Sequence, residues 1–398
     1  MKKGQKILIV VLLMAVTAVA TVLATNVWWS VRFGLQMDTA PVGAKVDEIA
    51  SLLEYYFIDD YDPDVLTTAA GDGAAAAMIA ATGDRWSYYI PKADMEQHQE
   101  LVNNAYVGIG VTIQEVENGE EIVTVTPGGP AEEAGLQVGD ILIAVEGKSV
   151  PELGPDETRN MVRGKEGTYV NLTVLRGEEQ LELRVERRSI VTPVAEYEML
   201  ENQIAWIKIF NFDAHCAEQT LACIEQAQAD GAKALLFDVR FNGGGFKDEM
   251  VQILDVLLPE GEIFRSIDYE GTEDVNYSDA ACIDLPMAVL VNEDSYSAAE
   301  FFAAALQEYG VAEVVGVQTS GKGNFQYTFD LSDGSGVGIS CGKYFTPQGK
   351  SLTDVGITPD EIVDLNDEDY QNLYYGILEK EEDEQLQAGL QLLLEKVS

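Results

Sequence analysis

The chain has 398 residues, of which 46% are hydrophobic and 9% aromatic, a composition typical of two or three globular domains. Its 25 Lys and Arg residues against 68 Asp and Glu residues give a formal net charge of −43, which repels phosphates and excludes nucleic acid as an expected partner. The four cysteines lack Cys-x-x-Cys spacing, so we expect no zinc site.

The first 30 residues are interpreted as a membrane anchor. Residues 7–24 form an uncharged apolar run of 18 residues after three lysines, and this length reaches the lower limit for a bilayer span. The basic flank predicts a cytoplasmic N-terminus with the folded part of the chain outside the cytoplasm. A cleaved signal peptide is the alternative, because Val22-Leu23-Ala24 resembles a cleavage site. We favour an uncleaved single span over 1–30, which places an extracytoplasmic protein at the cell membrane.

Residues 31–104 are predicted to form a helical region. Apolar residues recur at helical spacing between Val46 and Tyr56. Ala69–Ala81 reads as an alanine-rich helix that ends near Gly83.

The hydrophobic period changes from 3.6 to 2 at about Tyr106, which predicts a β-rich domain over 105–188. This domain contains Gly108-Ile109-Gly110, Gly129-Pro130-Ala131-Glu132-Glu133-Ala134-Gly135-Leu136 and Gly139-Asp140-Ile141-Leu142. The order and spacing of these segments resemble a PDZ domain of the kind found in proteases. The resemblance implies that backbone amides hold the C-terminal carboxylate of a peptide while the next strand pairs with its backbone. The peptide-binding loop would consist of Val107, Gly108, Ile109 and Gly110.

Strands and helices alternate over 189–370, the pattern of a parallel sheet with crossover helices, and an acidic helix is predicted within 371–398. The predicted fold class is therefore multi-domain α/β. Cys216 and Cys223 lie about 10 Å apart along one predicted helix, too far for a disulfide. A disulfide between Cys282 and Cys341 and buried free thiols both remain open.

Three polar segments in the second half are candidates for chemistry. Asn242-Gly243-Gly244-Gly245 follows a buried strand, and its glycines let backbone amides approach a reacting centre. It lacks the Gly-Lys-Ser/Thr ending of a nucleotide-phosphate loop. Ser297 stands between a strand and an alanine-rich helix, where a serine either caps the helix or acts as a nucleophile beside the helix N-terminus. Lys322 lies between two glycines at the start of a strand, a setting that alone is typical of a solvated loop.

Together the three segments resemble those of the C-terminal processing (tail-specific) peptidases, a Ser-Lys family with a crotonase-like core. The resemblance rests on the glycine loop, on Ser295-Tyr296-Ser297-Ala298-Ala299-Glu300 and on Gly321-Lys322-Gly323, and it extends from about residue 45 to the end. It implies a serine endopeptidase with Ser297 as nucleophile, Lys322 as general base and Gln326 as the support of the lysine. It also implies oxyanion stabilisation by the amides of Gly244, Gly245 and Ala298.

The resemblance has further implications for partners and regulation. The PDZ domain would gate the active site, with Arg163 as a regulatory residue that contacts the core. Expected partners are proteins or peptides with accessible C-termini, the membrane through the anchor, and a second copy of the chain in a homodimer. No metal or cofactor is implied. Tyr296 and Ala299 replace small or hydroxyl residues of the family pattern and Gly243 replaces its proline, changes that bear on substrate preference.

A Ser-Lys site requires an uncharged lysine, and burial lowers the pKa of a lysine toward neutrality. A Ser-His-Asp site would need His98 or His215, the only histidines, and neither lies in a matching motif. A catalytically silent PDZ peptide-binding membrane protein is the other alternative. The presence of Ser297, Lys322 and Gln326 argues against it.

Overall fold

The computed structural model describes residues 40–397, which divide into two compact units after Ala75. The described part of the first unit contains helix α1 (Ala40–Tyr56) and most of helix α2 (Pro63–Ala80), in agreement with the predicted helical spacing. The predicted anchor over 1–30 lies outside the described residues. Within the described range, no helix has both the length and the apolar character needed to cross a bilayer.

After the end of α2, the second unit continues with a short strand, β1 (Tyr88–Ile90), and a helix, α3 (Met95–Val102). Strand β1 lies in the region predicted to be helical, and it forms because its aromatic and β-branched residues pair antiparallel with residues 336–338. The turn before β1 is fixed by Asp84, whose carboxylate accepts the amide of Trp86 at 3.1 Å. Long-range pairing thus brings this segment against the second half of the chain.

The β-rich domain has its own antiparallel sheet and its own core. Its elements are β2 (Ala105–Gly108), β3 (Val111–Val116), β4 (Gly119–Val125), α4 (Pro130–Glu133), β5 (Ile141–Val145), β6 (Lys148–Ser149), α5 (Val150–Leu153), α6 (Pro155–Val162), β7 (Tyr169–Arg176) and β8 (Glu179–Glu186). Strand β2 pairs with β9 (Arg188–Val191), and the order β3-β4-β5-β7-β8 leaves β3 at an edge. Asp140 accepts two hydrogen bonds from Arg176, both at 2.7 Å, which secures the predicted Gly139-Asp140 turn.

A six-stranded sheet forms the centre of the remaining chain. The elements there are β10 (Ala195–Met199), β11 (Ile204–Ile209), α7 (Cys216–Ala229), β12 (Ala234–Asp238), α8 (Lys247–Leu257), β13 (Gly261–Asp268), β14 (Glu273–Ser278), β15 (Met287–Val291), α9 (Ala298–Glu308), β16 (Ala312–Gly316), β17 (Asn324–Asp330), β18 (Gly336–Phe345), β19 (Glu361–Ile362), α10 (Asp367–Tyr374) and α11 (Glu384–Val397). The order β10-β11-β12-β15-β16-β19 is parallel except at β10, so the predicted parallel sheet is confirmed.

Both faces of this sheet are covered. Helices α7, α8 and α9 pack on one face and α11 packs on the other, so that β12 and β15 are buried along their whole length. Buried parallel strands read as continuous apolar runs, which explains why the sequence predicted them closely. The strands β13, β14, β17 and β18 form a second, antiparallel sheet with β1.

All four cysteines are free thiols. The Cys282–Cys341 disulfide that the sequence left open is therefore not formed, and Cys216 is buried in α7.

A buried ion pair ties the C-terminal segment to the end of β12. The guanidinium of Arg240 donates to both carboxylate oxygens of Asp383, each at 2.9 Å, and to Asp238 at 2.9 and 2.7 Å. The side chains of Arg240, Asp238 and Asp383 are 2%, 8% and 3% exposed. Because Arg240 leads directly into the glycine loop, the C-terminal segment supports that loop from behind.

Asp383→Ala should lower the free energy of unfolding by about 3–5 kcal/mol, since it leaves a buried cation with one partner fewer. Urea denaturation measures the change. Lys380→Ala, which breaks the exposed pair with Glu198, is the control and should change stability by less than about 1 kcal/mol. Equal effects of the two substitutions would contradict a structural role for Asp383.

Candidate active site

Ser297 stands at a sharp turn between a strand and a helix. Strand β15 ends at Val291, and α9 begins at Ala298. Ser297 has φ +60° and ψ −127°, a conformation that residues other than glycine adopt only at an energetic cost. The residue is 7% exposed and lies at the wall of a cavity. The surrounding contacts must therefore hold it in this conformation.

Glu300, fully buried in the first turn of α9, connects the Ser297 segment with the Lys322 segment. One carboxylate oxygen accepts the amide of Ser297 at 2.9 Å and the amide of Lys322 at 2.8 Å. The other accepts the amide of Gly321 at 2.8 Å and the hydroxyl of Thr319 at 2.5 Å. Charge-assisted hydrogen bonds are stronger than neutral ones, so this carboxylate fixes the two backbones relative to each other.

Lys322 is half-buried, and its side chain points into the same cavity as Ser297. Burial lowers its pKa, while the negative charges of Asp84, Glu300 and Asp213 oppose this shift. A lowered pKa increases the uncharged fraction that can accept a proton near neutral pH.

Gln326 lines the cavity but has other hydrogen-bond partners than predicted. Its amide nitrogen donates to the hydroxyl of Ser340 at 3.1 Å and to the carbonyl of Asn324 at 3.3 Å. The ammonium of Lys322 lies instead against the aromatic ring of Trp86. Gln326 in β17 thus lines the same cavity as Lys322, and its described side-chain hydrogen bonds go to Ser340 and Asn324.

The glycine loop approaches Ser297 from the end of β12. A Cβ atom added at Gly244 would lie 2.7 Å from Ser297 Cβ and 2.9 Å from the nitrogen of Ala298, so this approach requires glycine. The amide of Gly244 donates to the side-chain oxygen of Asn242 at 2.8 Å. Within residues 40–397, the amides of Gly245 and Ala298 donate no hydrogen bond to another residue. These two amides, rather than all three predicted ones, are free to stabilise an oxyanion.

Gly243 and Tyr296, two departures from the family pattern, contact each other. A Cβ atom added at Gly243 would lie 2.6 Å from the hydroxyl oxygen of Tyr296 and 2.8 Å from its Cζ. The ring of Tyr296 also packs against the ring of Trp86, with centroids 5.5 Å apart. The tyrosine therefore occupies the space beside residue 243 that a larger residue there would fill.

The cavity has a volume of about 790 Å³ and gathers the predicted catalytic and oxyanion residues other than Ala298. Its walls include Ser297, Lys322, Gln326, Gly244, Gly245, Tyr296 and the stacked rings of Phe325 and Tyr344. His98 also lies in this wall, while His215 lies at the start of α7, 3.7 Å from Glu218.

A second cavity, of about 780 Å³, lies between α3 and the β-rich domain and shares Asn211 and Asp213 with the first. Asp213 follows β11, and burial raises the pKa of its carboxyl to about 7, although the charge of Lys322 opposes this. Asp213 thus stands where the two cavities meet.

The predicted peptide-binding loop lies at the start of the β-rich domain. Val107 and Gly108 end β2, Ile109 is buried, and Gly110 has φ +77° directly before the edge strand β3. Val107 lines the second cavity. An edge strand after this turn can pair with an added peptide strand.

Arg163, the predicted regulatory residue, contacts α3. Its guanidinium pairs with the carboxylate of Glu100 at 2.7 Å and lies 5.0 Å from the ring centroid of Tyr106. Its partner is thus a helix ahead of the β-rich domain, whereas the sequence predicted a contact with the core over 189–370.

Known proteins are similar to this chain over most of its length. The profile of peptidase family S41 matches residues 203–363, and that of the PDZ domain matches residues 121–176. A probable CtpA-like serine protease of Staphylococcus aureus is 32% identical over 370 residues, which cover 92% of this chain and 73% of that protein. The chain belongs to peptidase family S41. A probable CtpA-like serine protease of Staphylococcus epidermidis is 30% identical over 371 residues, 92% of this S41 chain and 74% of that protein.

Two solved structures are similar to this S41 peptidase at lower identity. A putative S41 protease from Bacteroides fragilis is 16% identical, covers 86% of this chain and 93% of its own, and has a TM-score of 0.49. The photosystem II D1 C-terminal processing protease is 23% identical, and the match covers 80% of this chain and 86% of that protein's chain with a TM-score of 0.45. The predicted family is confirmed: the protein is a serine peptidase, a hydrolase, with a PDZ domain.

Three residues of the S41 site were not predicted from the sequence. Glu300 is the last residue of the motif that begins at Ser295, but no role was predicted for it. An acidic residue three positions after a serine at a helix start is also the signature of a capping box. Trp86 reaches Lys322 only through the pairing of β1, and Asp213 reaches the cavity through the turn after β11. No spacing in the sequence connects them with Ser297.

Gly243→Ala should slow the labelling of Ser297 by a fluorophosphonate about tenfold or more, because the added Cβ displaces the Tyr296 ring. Gly243→Ala on a Tyr296→Ser background should slow labelling only slightly, because the space taken by the tyrosine ring beside residue 243 is then open. The four proteins form a double-mutant cycle whose coupling is read from the labelling rates. Additive effects would show that the two residues act independently.

Asp213→Asn should stabilise the protein more at pH 8 than at pH 5. Because the pKa of the Asp213 carboxyl is raised in the folded protein, the folded state keeps its proton at pH values above 3.8, the ordinary pKa at which the unfolded chain loses it. The carboxyl therefore destabilises the fold increasingly as pH rises from that value to about 7. Urea midpoints of both proteins at the two pH values provide the measurement, and an equal difference at both would contradict the raised pKa.

Proposed function

We propose that this S41 peptidase is a C-terminal processing endopeptidase that cleaves extracytoplasmic proteins through a Ser297–Lys322 pair. The single observation that supports it most is the position of Glu300, whose carboxylate binds the backbones of both residues at the wall of one cavity. Gly245 lines the same cavity, and the backbone nitrogen of Ala298 lies beside Gly244.

Acylation begins when uncharged Lys322 accepts the hydroxyl proton of Ser297. The serine oxygen bonds to the scissile carbonyl carbon, and the carbonyl electron pair moves to the oxygen, where the amides of Gly245 and Ala298 stabilise it. The electron pair then returns, the C–N bond breaks, and the leaving amine takes the proton from the ammonium of Lys322. The product is an acyl ester on Ser297 and a free C-terminal fragment.

Deacylation repeats these steps with water. Lys322 accepts a proton from the water as its oxygen bonds to the ester carbon, and the oxyanion forms at the same two amides. Collapse of this intermediate breaks the bond to the Ser297 oxygen, which takes the proton back from the lysine. Free enzyme and a peptide carboxylic acid result, and the acid releases its proton to the solvent. Gln326 in this scheme turns toward the lysine amine and orients it without adding charge.

The PDZ domain supplies recognition of the substrate tail in this proposal. The tail carboxylate binds the amides of the Val107–Gly110 loop, and the tail backbone pairs with edge strand β3. Arg163 supports a regulatory role because its present partner is a carboxylate, that of Glu100, with which a substrate carboxylate can compete. The second cavity leads from this region to the active-site cavity through Asp213.

The location and assembly of the protein belong to the same proposal. The basic and apolar pattern before residue 30 supports an anchored enzyme whose catalytic part lies outside the cytoplasm. Homodimer formation through the N-terminal helices is supported by Val46, Ile49 and Leu52, which form an exposed apolar stripe on α1.

Ser297→Ala and Lys322→Ala should each abolish cleavage of an unstructured protein, and Lys322→Ala should slow fluorophosphonate labelling of Ser297 by at least about 100-fold. The measurement is the labelling rate together with the cleavage rate. A substrate whose C-terminus is amidated should be cleaved more slowly than the free acid, because it lacks the tail carboxylate.

His98→Ala is the matched control, because His98 is the histidine at the cavity wall. It should retain labelling if Lys322 is the base. Loss of labelling in His98→Ala with retention in Lys322→Ala would replace the Ser-Lys scheme by a Ser-His scheme. A wild-type chain that labels at no pH would favour the silent peptide-binding alternative.

A further inference from the structure

Two aromatic rings flank the ammonium of Lys322. Its nitrogen lies 5.0 Å from the ring centroid of Trp86 and 5.5 Å from that of Tyr296. The two rings are themselves 5.5 Å apart and inclined by 36°, so they form adjacent walls around the lysine side chain. Distances of this size are within the range of a cation–π interaction.

The ring of Trp86 is held in place by the turn that carries it. Asp84 accepts the Trp86 amide at 3.1 Å and the Ser87 hydroxyl at 2.6 Å. The Ser87 hydroxyl in turn accepts the amide of Ser340 in β18 at 3.0 Å. The guanidinium of Arg85 lies over the Trp86 ring, 4.3 Å from its centroid, and donates a hydrogen bond to the carbonyl of Ser320 at 2.8 Å.

The ring of Tyr296 is held by a different part of the chain. Its backbone amide donates to the carbonyl of Asn242 at 3.1 Å, and its hydroxyl end lies against Gly243. A residue with a Cβ atom at position 243 would displace the ring, so glycine there permits the tyrosine wall. The two rings are therefore positioned by separate parts of the chain, and both lie against Lys322.

We propose that Trp86 and Tyr296 form an aromatic box that binds the ammonium of Lys322 and positions this side chain for proton transfer with Ser297. The proposal rests on the general-base role of Lys322 given above. The box is named for these two rings alone, and both are positioning residues, since they act through the lysine. It assigns a function to a tryptophan that lies outside the family's polar motifs.

The box favours the charged form of Lys322 at two stages. In the resting enzyme it stabilises the ammonium, as do the carboxylates of Asp84, Glu300 and Asp213 that face it from the turn, from α9 and from the segment after β11. After Lys322 takes the Ser297 proton, the rings stabilise the ammonium that forms beside the oxyanion. Removal of a ring should therefore make the lysine a weaker base.

The direction in which the pKa of Lys322 changes when a ring is removed distinguishes the box from a passive wall. A wall only keeps water out, and its loss admits water, which favours the charged lysine and moves the acid limb of the pH–rate profile to higher pH. Loss of an attractive ring face moves the acid limb to lower pH and lowers the plateau rate, because a weaker base removes the serine proton more slowly.

The test is the rate of fluorophosphonate labelling of Ser297 in the full chain, followed between about pH 5 and pH 10. Trp86→Leu should move the midpoint of the acid limb down by about half a unit to one unit and lower the plateau. Tyr296→Leu should shift the midpoint in the same direction, and Trp86→Phe, which retains a ring, should shift it less than Trp86→Leu. The control is Tyr277→Leu, which removes an exposed aromatic ring near the end of β14 and should leave the midpoint unchanged.

The outcomes separate the box from the proposed function. Lys322→Ala with a wild-type profile would overturn both, because the lysine would then not be the base. A Lys322-dependent rate whose midpoint stays in place or rises in both leucine variants would overturn the box alone. Urea denaturation identifies a variant that has lost its fold, and the other leucine variant then decides the outcome.

Discussion

The site depends on one buried carboxylate, that of Glu300. It accepts four hydrogen bonds, from the amides of Ser297, Gly321 and Lys322 and from the hydroxyl of Thr319. The conformation of Ser297 is costly on its own and persists because this carboxylate and the glycine loop hold the turn on both sides. A neutral side chain of another shape would leave several buried donors unpaired, each at a cost of about 1–3 kcal/mol.

The environment of Lys322 is a balance of opposing effects. Burial favours the free amine, three carboxylates favour the ammonium, and the rings of Trp86 and Tyr296 favour the ammonium as well. Burial outweighs the three carboxylates and holds the pKa of the lysine below its ordinary value. Because the carboxylate of Asp213 titrates near pH 7, part of this balance changes within the neutral range.

The sequence predicted the elements and motifs that depend on residues close together along the chain. The buried strands β12 and β15, the helix starts and the motif around Ser297 follow from runs of apolar residues and from short spacings. The sequence did not predict β1 among the helices, the hydrogen bond that occupies the Gly244 amide, or the contact of Trp86 with Lys322. The first and the last depend on the pairing of β1 with β18, a contact between distant segments. The hydrogen bond from Gly244 to Asn242 is local, but it depends on the backbone conformation of the loop, which no periodicity records.

The ion pair between Arg240 and Asp383 has a consequence for the order in which the enzyme is made. Arg240 precedes the glycine loop, and its partner Asp383 lies 143 residues further along the chain. During synthesis the loop therefore lacks its buried partner until at least these residues have emerged. This dependence delays completion of the site, which limits the time for which a half-made chain can cut its neighbours or itself.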